Sequence, residues 1–212
     1  MKSRTVLAAA CALLFAFPAI AQVAAAPLCV PGTLASYIAL GDRGCMFGSV
    51  LYHDFTYATA SVIDGGADQI LVTPSVLPLV NDFQGLNFSA LTPTIWSVAA
   101  GESKQSVIGF SAVPFPPNAA AFPFGGELTL ELGASHISGI IGSVTVQEVT
   151  SPATLEVYDR CEEVCILKQA DTVTISPIQV LQSRITISLV GGTDGASLSS
   201  FATDYIVGPQ PE

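Results

Sequence analysis

From Gly48 onward the chain runs in short stretches of alternating apolar and polar residues, punctuated by Gly, Pro and Asp. Alternation of period two sends successive side chains to opposite faces, so each stretch reads as a half-buried strand. The stretches fall at 50–58, 70–73, 85–89, 94–98, 104–113, 127–131, 137–149, 154–157, 172–175, 184–190 and 197–207. Stretches 85–89 and 94–98 read as paired strands around residues 90–93. Asp64-Gly65-Gly66, Gly101-Glu102 and Gly191-Gly192-Thr193-Asp194-Gly195 read as turns. Residues 114–125, PFPPNAAAFPFG, form a Pro-rich connector that excludes a central strand. Helix signals are confined to one place: Thr33 as a cap, good helix formers over 34–40, and Gly41 after them. Many short strands with this punctuation predict an all-β fold, an antiparallel β-sandwich with a short N-terminal helix.

The first 21 residues, MKSRTVLAAACALLFAFPAIA, have the form of a cleavable export signal. Lys2 and Arg4 supply the positive start, residues 5–17 are almost wholly apolar, and Ala19-Ile20-Ala21 is a small-x-small cleavage site. The apolar stretch is short for a membrane span and is broken by Pro18. Neither Cys11 nor Cys29 sits in a good lipid-attachment context. The expected organisation is a signal over 1–21, a small-residue linker over 22–28, one domain over 29–208 and a tail over 209–212.

Export decides how the cysteines are read. Cys11 leaves with the signal, and Cys29, Cys45, Cys161 and Cys165 remain. An even number in an oxidising compartment predicts two disulfides. The local pairs Cys29–Cys45 and Cys161–Cys165 are preferred, because each brackets a turn-like segment. Disulfide Cα atoms lie roughly 4.4–6.8 Å apart, whereas four extended steps span about 13 Å. Residues 161–165 are therefore expected to turn back at a hairpin tip. Zinc at this pair is the rival reading, and no histidine stands near it in sequence.

Loss of Lys2 and Arg4 takes the formal charge from −10 to −12. Such a chain has no electrostatic footprint for nucleic acid and is repelled by anionic lipid. Charged residues make up only 11% of the sequence. Ser, Thr and Gly must supply much of the polar surface.

Several stretches resemble one another's counterparts in a known family. Cys29-x-x-Gly32-Thr33-Leu34-Ala35-Ser36-Tyr37-Ile38-Ala39-Leu40-Gly41-x-x-Gly44-Cys45, with Phe47-Gly48 and Asp54-Phe55-x-Tyr57, resembles the N-terminal signature of a family of exported bacterial proteins of unknown function. Members of that family often carry a PEP-CTERM sorting tail. Gly85-Leu86-Asn87-Phe88, Trp96-Ser97-Val98, Asp171-x-Val173-Thr174-Ile175-x-Pro177 and Gly191-Gly192-x-x-Gly195-Ala196-x-Leu198-Ser199 fit the same family. The resemblance implies export and a place in the extracellular matrix, with polysaccharide or matrix proteins as partners. It implies no reaction. Residues 207–212, VGPQPE, lack the apolar span and basic cluster of such a tail, so tail-dependent sorting and a stable membrane anchor are not expected.

No cofactor motif, Gly-x-Ser-x-Gly elbow or metal-ligand cluster stands out. His53-Asp54 is the one neighbouring histidine–acid pair, and on a regular strand the two would face opposite ways. His136 falls near a turn. Glu162-Glu163 forms an acidic tip within the Cys161–Cys165 ring. Trp96, Tyr52 and Tyr57 are candidate ligand contacts if they share one exposed face, as in a carbohydrate-binding module; the alternative places Trp96 in the core. Asn87-Phe88-Ser89 matches a glycosylation sequon. Three functions are thus carried forward: a non-catalytic exported protein with a structural or matrix-interaction role, a carbohydrate-binding module, and a secreted hydrolase. The hydrolase requires His53 or His136 in a pocket beside a nucleophile or carboxylate.

Overall fold

The computed structural model describes residues 26–60, 66–76, 83–115, 124–151 and 153–207. The proposed signal, part of the linker and the proposed tail lie outside them. In chain order the elements begin with β1 (Gly32–Thr33), α1 (Leu34–Ile38), β2 (Cys45–Phe47), β3 (Val50–Thr59) and β4 (Ile70–Val76). They continue with β5 (Phe83–Ala90), β6 (Ser97–Val98), β7 (Ser103–Pro114), β8 (Phe124–Leu132) and β9 (Ser135–Ser138). The remainder are β10 (Gly142–Thr150), β11 (Thr154–Cys161), β12 (Cys165–Lys168), β13 (Ala170–Ile178), β14 (Leu181–Val190), β15 (Gly195–Leu198) and β16 (Ser200–Val207).

These strands form an antiparallel sandwich. One sheet has the order β1-β4-β5-β16-β8-β13, and the facing sheet the order β12-β11-β10-β14-β7-β3-β2. A small sheet, β6-β15-β9, closes one end. Alternation decides which residues face inward. Along β14, Leu181, Ser183, Ile185, Ile187 and Leu189 are buried, while Gln182, Arg184 and Val190 are exposed. A run of rings crosses the interior: Tyr37, Phe55, Phe110, Phe88, Phe201 and Trp96, with successive centroids 5.0–6.2 Å apart. Phe110 and Phe88 come from opposite sheets, so their contact joins the two layers.

Several expectations need correction. Residues 94–98 do not pair with 85–89. β5 instead pairs with β4 and β16, and only Ser97–Val98 is extended, against β15. The turn before it is tied down by Lys104, whose buried Nζ donates to the carbonyls of Thr94 at 2.8 Å and Ile95 at 3.2 Å. The stretch 137–149 is two strands, broken at Gly139, where φ of +93° favours a residue without Cβ. The stretch 197–207 is likewise divided at Ser199 into β15 and β16, which lie in different sheets. The helix is shorter than 34–40. Thr33 Oγ1 accepts from the Ser36 N–H at 3.2 Å as its cap.

Both expected cysteine pairs are bonded. Cys29–Cys45 has Cα atoms 4.9 Å apart and ties the N-terminal segment to β2. Cys161 and Cys165 are directly opposed in the β11–β12 hairpin, with Cα atoms 4.0 Å apart. The first ring spans 16 residues, for which the loop-entropy relation gives about 3 kcal/mol. The second spans 4, which corresponds to about 2 kcal/mol. Cys29→Ser/Cys45→Ser is therefore expected to lose more stability in urea titration than Cys161→Ser/Cys165→Ser. Equal loss, or the reverse order, would reject this assignment.

Candidate functional site

The small end sheet borders one open cleft. Its register sets Ser97 opposite Ser197 and Ser197 opposite His136, so two hydroxyls and an imidazole form one row across β6, β15 and β9. Beside this row lies an open cleft of about 410 Å³. Ala90, Leu91 and Pro93 contribute an apolar wall, and Ser135, His136, Ser197 and Ser199 contribute polar groups. A shallower depression of about 160 Å³ shares His136 and Ser197 and includes Ser138 and Asp194.

The polar groups are not equivalent. Ser199 Oγ donates to the Ala134 carbonyl at 2.7 Å, and Ser135 Oγ donates to Asp159 Oδ2 at 3.0 Å. Both hydroxyls hold the loop geometry. The Ser97 carbonyl accepts from Lys104 Nζ at 3.3 Å, but the Ser97 and Ser197 hydroxyls have no hydrogen-bond partner among the described residues, which leaves them available to a ligand. His136 is exposed, and its Nε2 lies 3.1 Å from Ser138 Oγ. No described carboxylate bonds its other ring nitrogen. The cleft can therefore offer neutral donors and acceptors next to an apolar surface, a combination suited to binding a polar, uncharged molecule.

The expected aromatic platform is not assembled. Trp96 is fully buried at 0% exposure and packs on Phe201, with centroids 5.5 Å apart. Tyr52 is also fully buried, with its ring 6.2 Å from Phe110. Tyr57 is half-buried against the core, and its hydroxyl lies 3.4 Å from Ser106 Oγ. Inward registers on β3 and the turn before β6 remove all three from a shared open face. Trp96 and Tyr52 are core residues.

His53 and Asp54 depart from the expected opposite-facing arrangement. Register shifts between His53 and Thr56, and Asp54 takes φ of +56°. This bulge turns Asp54 back, placing Oδ2 2.8 Å from His53 Nδ1. Adjacent residues in a bulge escape the strand's alternation. His53 has no described hydrogen bond to a Ser, Thr or Cys side chain. Glu162 and Glu163 are exposed at the β11–β12 tip, as expected. Asn87 lies within β5, where its Oδ1 accepts from Ser89 Oγ at 2.8 Å. Among the described residues, no three His, Cys, Asp or Glu side chains are grouped to hold a metal ion.

The alternation pattern concealed a buried acid. Glu148 points inward from β10 and is fully buried. Ser183 Oγ donates to Oε1 at 2.5 Å, Thr203 Oγ1 to Oε2 at 2.6 Å, and Tyr205 OH to Oε1 at 3.2 Å. Ser183 belongs to the same sheet, whereas Thr203 and Tyr205 come from β16 across the sandwich. Burial raises the Glu148 pKa, partly opposed by these three hydroxyls. A second acid, Asp204, lies on the outward side of β16 but is only 1% exposed. Its carboxylate occupies the space a Cβ on Gly85 would need, which explains the glycine. Burial, then the charges of Glu131 and Glu148, push its pKa up to about 7.

No family model matches the chain. No curated protein matches it either. Among solved structures, it has a slight likeness to the enzymatically active domain of tailspike protein 4 from bacteriophage CBA120. Identity is 11% and the TM-score 0.25, over 73% of this chain and 19% of that one. The chain thus spans about a fifth of that protein's length, and a likeness this slight transfers nothing.

Proposed function

We propose that this protein is a non-catalytic, exported β-sandwich of the extracellular matrix, and that its end cleft binds neutral polysaccharide. The observation that carries the reading is the pair Ser197–His136 beside Leu91 and Pro93, with Ser97 next in the row and lining the adjoining depression. Two unengaged hydroxyls and an imidazole match the donors and acceptors of a sugar, and the apolar wall matches its less polar edge. The formal charge of −10 disfavours acidic polymers. The signal-like N-terminus and the family resemblance favour export, and the two disulfides fit an extracellular or periplasmic protein.

The test is native electrophoresis through gels containing dextran, galactomannan or alginate. The protein is expected to be retarded by a neutral polymer and not by alginate. Ser197→Arg should weaken that retention at least about tenfold, because it fills the cleft and removes a hydroxyl. Equal mobility in every gel would overturn the reading. A hydrolase is the second reading, favoured by the 3.1 Å approach of Ser138 to His136. It predicts that a fluorophosphonate probe labels Ser138. The non-catalytic reading predicts no labelling, and a Ser138 adduct found by mass spectrometry would replace it with the hydrolase.

A further inference from the structure

The end cleft continues past His136. Along β15, residues 197–199 line the open cleft of about 410 Å³, and residues 194–197 line the shallower depression of about 160 Å³. Along β9 the division falls at the same level, with residues 134–136 on the first and His136 and Ser138 on the second. The two hollows therefore meet end to end at the Ser197–His136 pair and form one groove lengthwise on β15. Asp194 and Ser199 are five residues apart, a reach of at most about 17 Å. That is well beyond the length of a single sugar ring.

Register explains the second hollow. Ser138 lies opposite Gly195, and His136 opposite Ser197. Period two sends these four residues to one face of the small sheet. Gly195 carries no side chain, so the face dips there, between Ser138 on one side and β6 on the other. Asp194 bounds the far end. A Cβ on Gly139 would stand 2.7 Å from its Oδ2, which places the carboxylate beside the end of β9. Thr193 Oγ1 donates to the same oxygen at 3.3 Å. Asp194 is exposed and has no ion-pair partner among the described residues.

The two halves differ in chemistry. The first has the apolar wall of Leu91 and Pro93, and the second has the Ser97 and Ser138 hydroxyls with the Asp194 carboxylate. An ionised carboxylate only accepts hydrogen bonds, and its bonds from neutral donors are of the stronger kind. The hydroxyls of a sugar ring supply such donors, whereas a uronic acid would set a like charge against Asp194. Among the described residues, neither hollow is lined by Lys or Arg. Lys104, which reaches the Ser97 carbonyl, is buried and shared with the carbonyls of Thr94 and Ile95.

We infer, resting on the reading of the cleft as a sugar site, that it holds an extended oligosaccharide along β15 in two adjoining subsites, with an uncharged, hydroxyl-bearing unit against Asp194. A single sugar fills one subsite only, so the contribution of the second emerges with chain length.

Titration calorimetry tests this with fragments of one to six units cut from dextran, galactomannan and alginate. For the neutral polymer that retards the protein in gels, affinity is expected to rise at least about tenfold from one unit to the length that fills both subsites, then to level off. Alginate fragments should bind at least about tenfold more weakly than neutral ones of equal length. Asp194→Ala should remove most of the gain with length, and so should Ser138→Tyr, which fills the second hollow from another strand. Circular dichroism matching the parent checks that both variants fold. If a neutral polymer is retarded but affinity is the same at every length, or the gain survives both variants, the two-subsite inference falls and sugar binding stands. Alginate fragments bound as tightly as neutral ones overturn the role given to Asp194. If no neutral polymer is retarded, the sugar reading falls and takes this inference with it.

Discussion

Glu148→Leu is expected to cost about 3–5 kcal/mol, a large part of the stability of a domain this size. The reason is the company the carboxyl keeps. Ser183 and Thr203 both donate to it in a fully buried setting, and Tyr205 adds a longer bond. A leucine leaves those hydroxyls without their acceptor, and each orphaned buried group costs about 1–3 kcal/mol. Glu148→Gln keeps the shape and a carbonyl acceptor, and its loss should stay within about 1 kcal/mol. Urea midpoints at constant m near pH 6 separate the two cases. If the leucine variant matches the parent, the cross-sheet bonds contribute nothing net and this account of the core is wrong.

Asp204 should make the folded protein lose stability as pH rises from about 4 to about 7. In the unfolded chain it ionises near 3.8, the ordinary value for an aspartate, whereas in the fold burial pushes its pKa up to about 7. Between those values the native state holds a proton that the unfolded state has released. Stability is therefore fully present below the unfolded pKa, falls through this window, and is lost above the folded one. A displacement of about three units corresponds to about 4 kcal/mol. Glu148 is raised in the same direction by burial, so it adds to the decline. Asp171 works the other way. Burial pushes its pKa up, but hydrogen bonds from Lys168 and the Glu156 backbone, with the Lys168 charge, together outweigh that and leave it lowered. Asp204→Asn should flatten the urea-midpoint profile between pH 4 and pH 7. A parent profile that rises across this interval, or an asparagine variant with the same slope as the parent, would refute the assignment.

Alternation made the long strands legible because one face of each is buried. Along β14 and β10, even a buried Ser or Glu keeps its place in the period. Partner choice was less legible. Thr94-Ile95-Trp96 has strand-like residues, but Lys104 captures its carbonyls and holds a turn instead. β12 was missed because Cys165–Lys168 is a short edge strand, exposed along most of its length. The local cysteine pairs, by contrast, followed from spacing and compartment. At the candidate cleft, His136 was visible as a residue, but its alignment with Ser97 and Ser197 depends on three strands separated in sequence. The His53–Asp54 contact was hidden because one residue at positive φ cancels the alternation used to read the strand.

The location of β16 also constrains the order in which this chain can become a protein. β1, β4 and β5 form one part of the six-stranded sheet, β8 and β13 the other, and β16 is the strand between them. Residues 200–207 leave the ribosome after every other strand of that sheet. Until they arrive, the two parts present unsatisfied edges to each other and two of the three Glu148 donors are absent. The six-stranded sheet can therefore close only once β16 has been made, through contacts distant in sequence. A partly made chain thus holds this sheet open along its middle until residues 200–207 join its two parts.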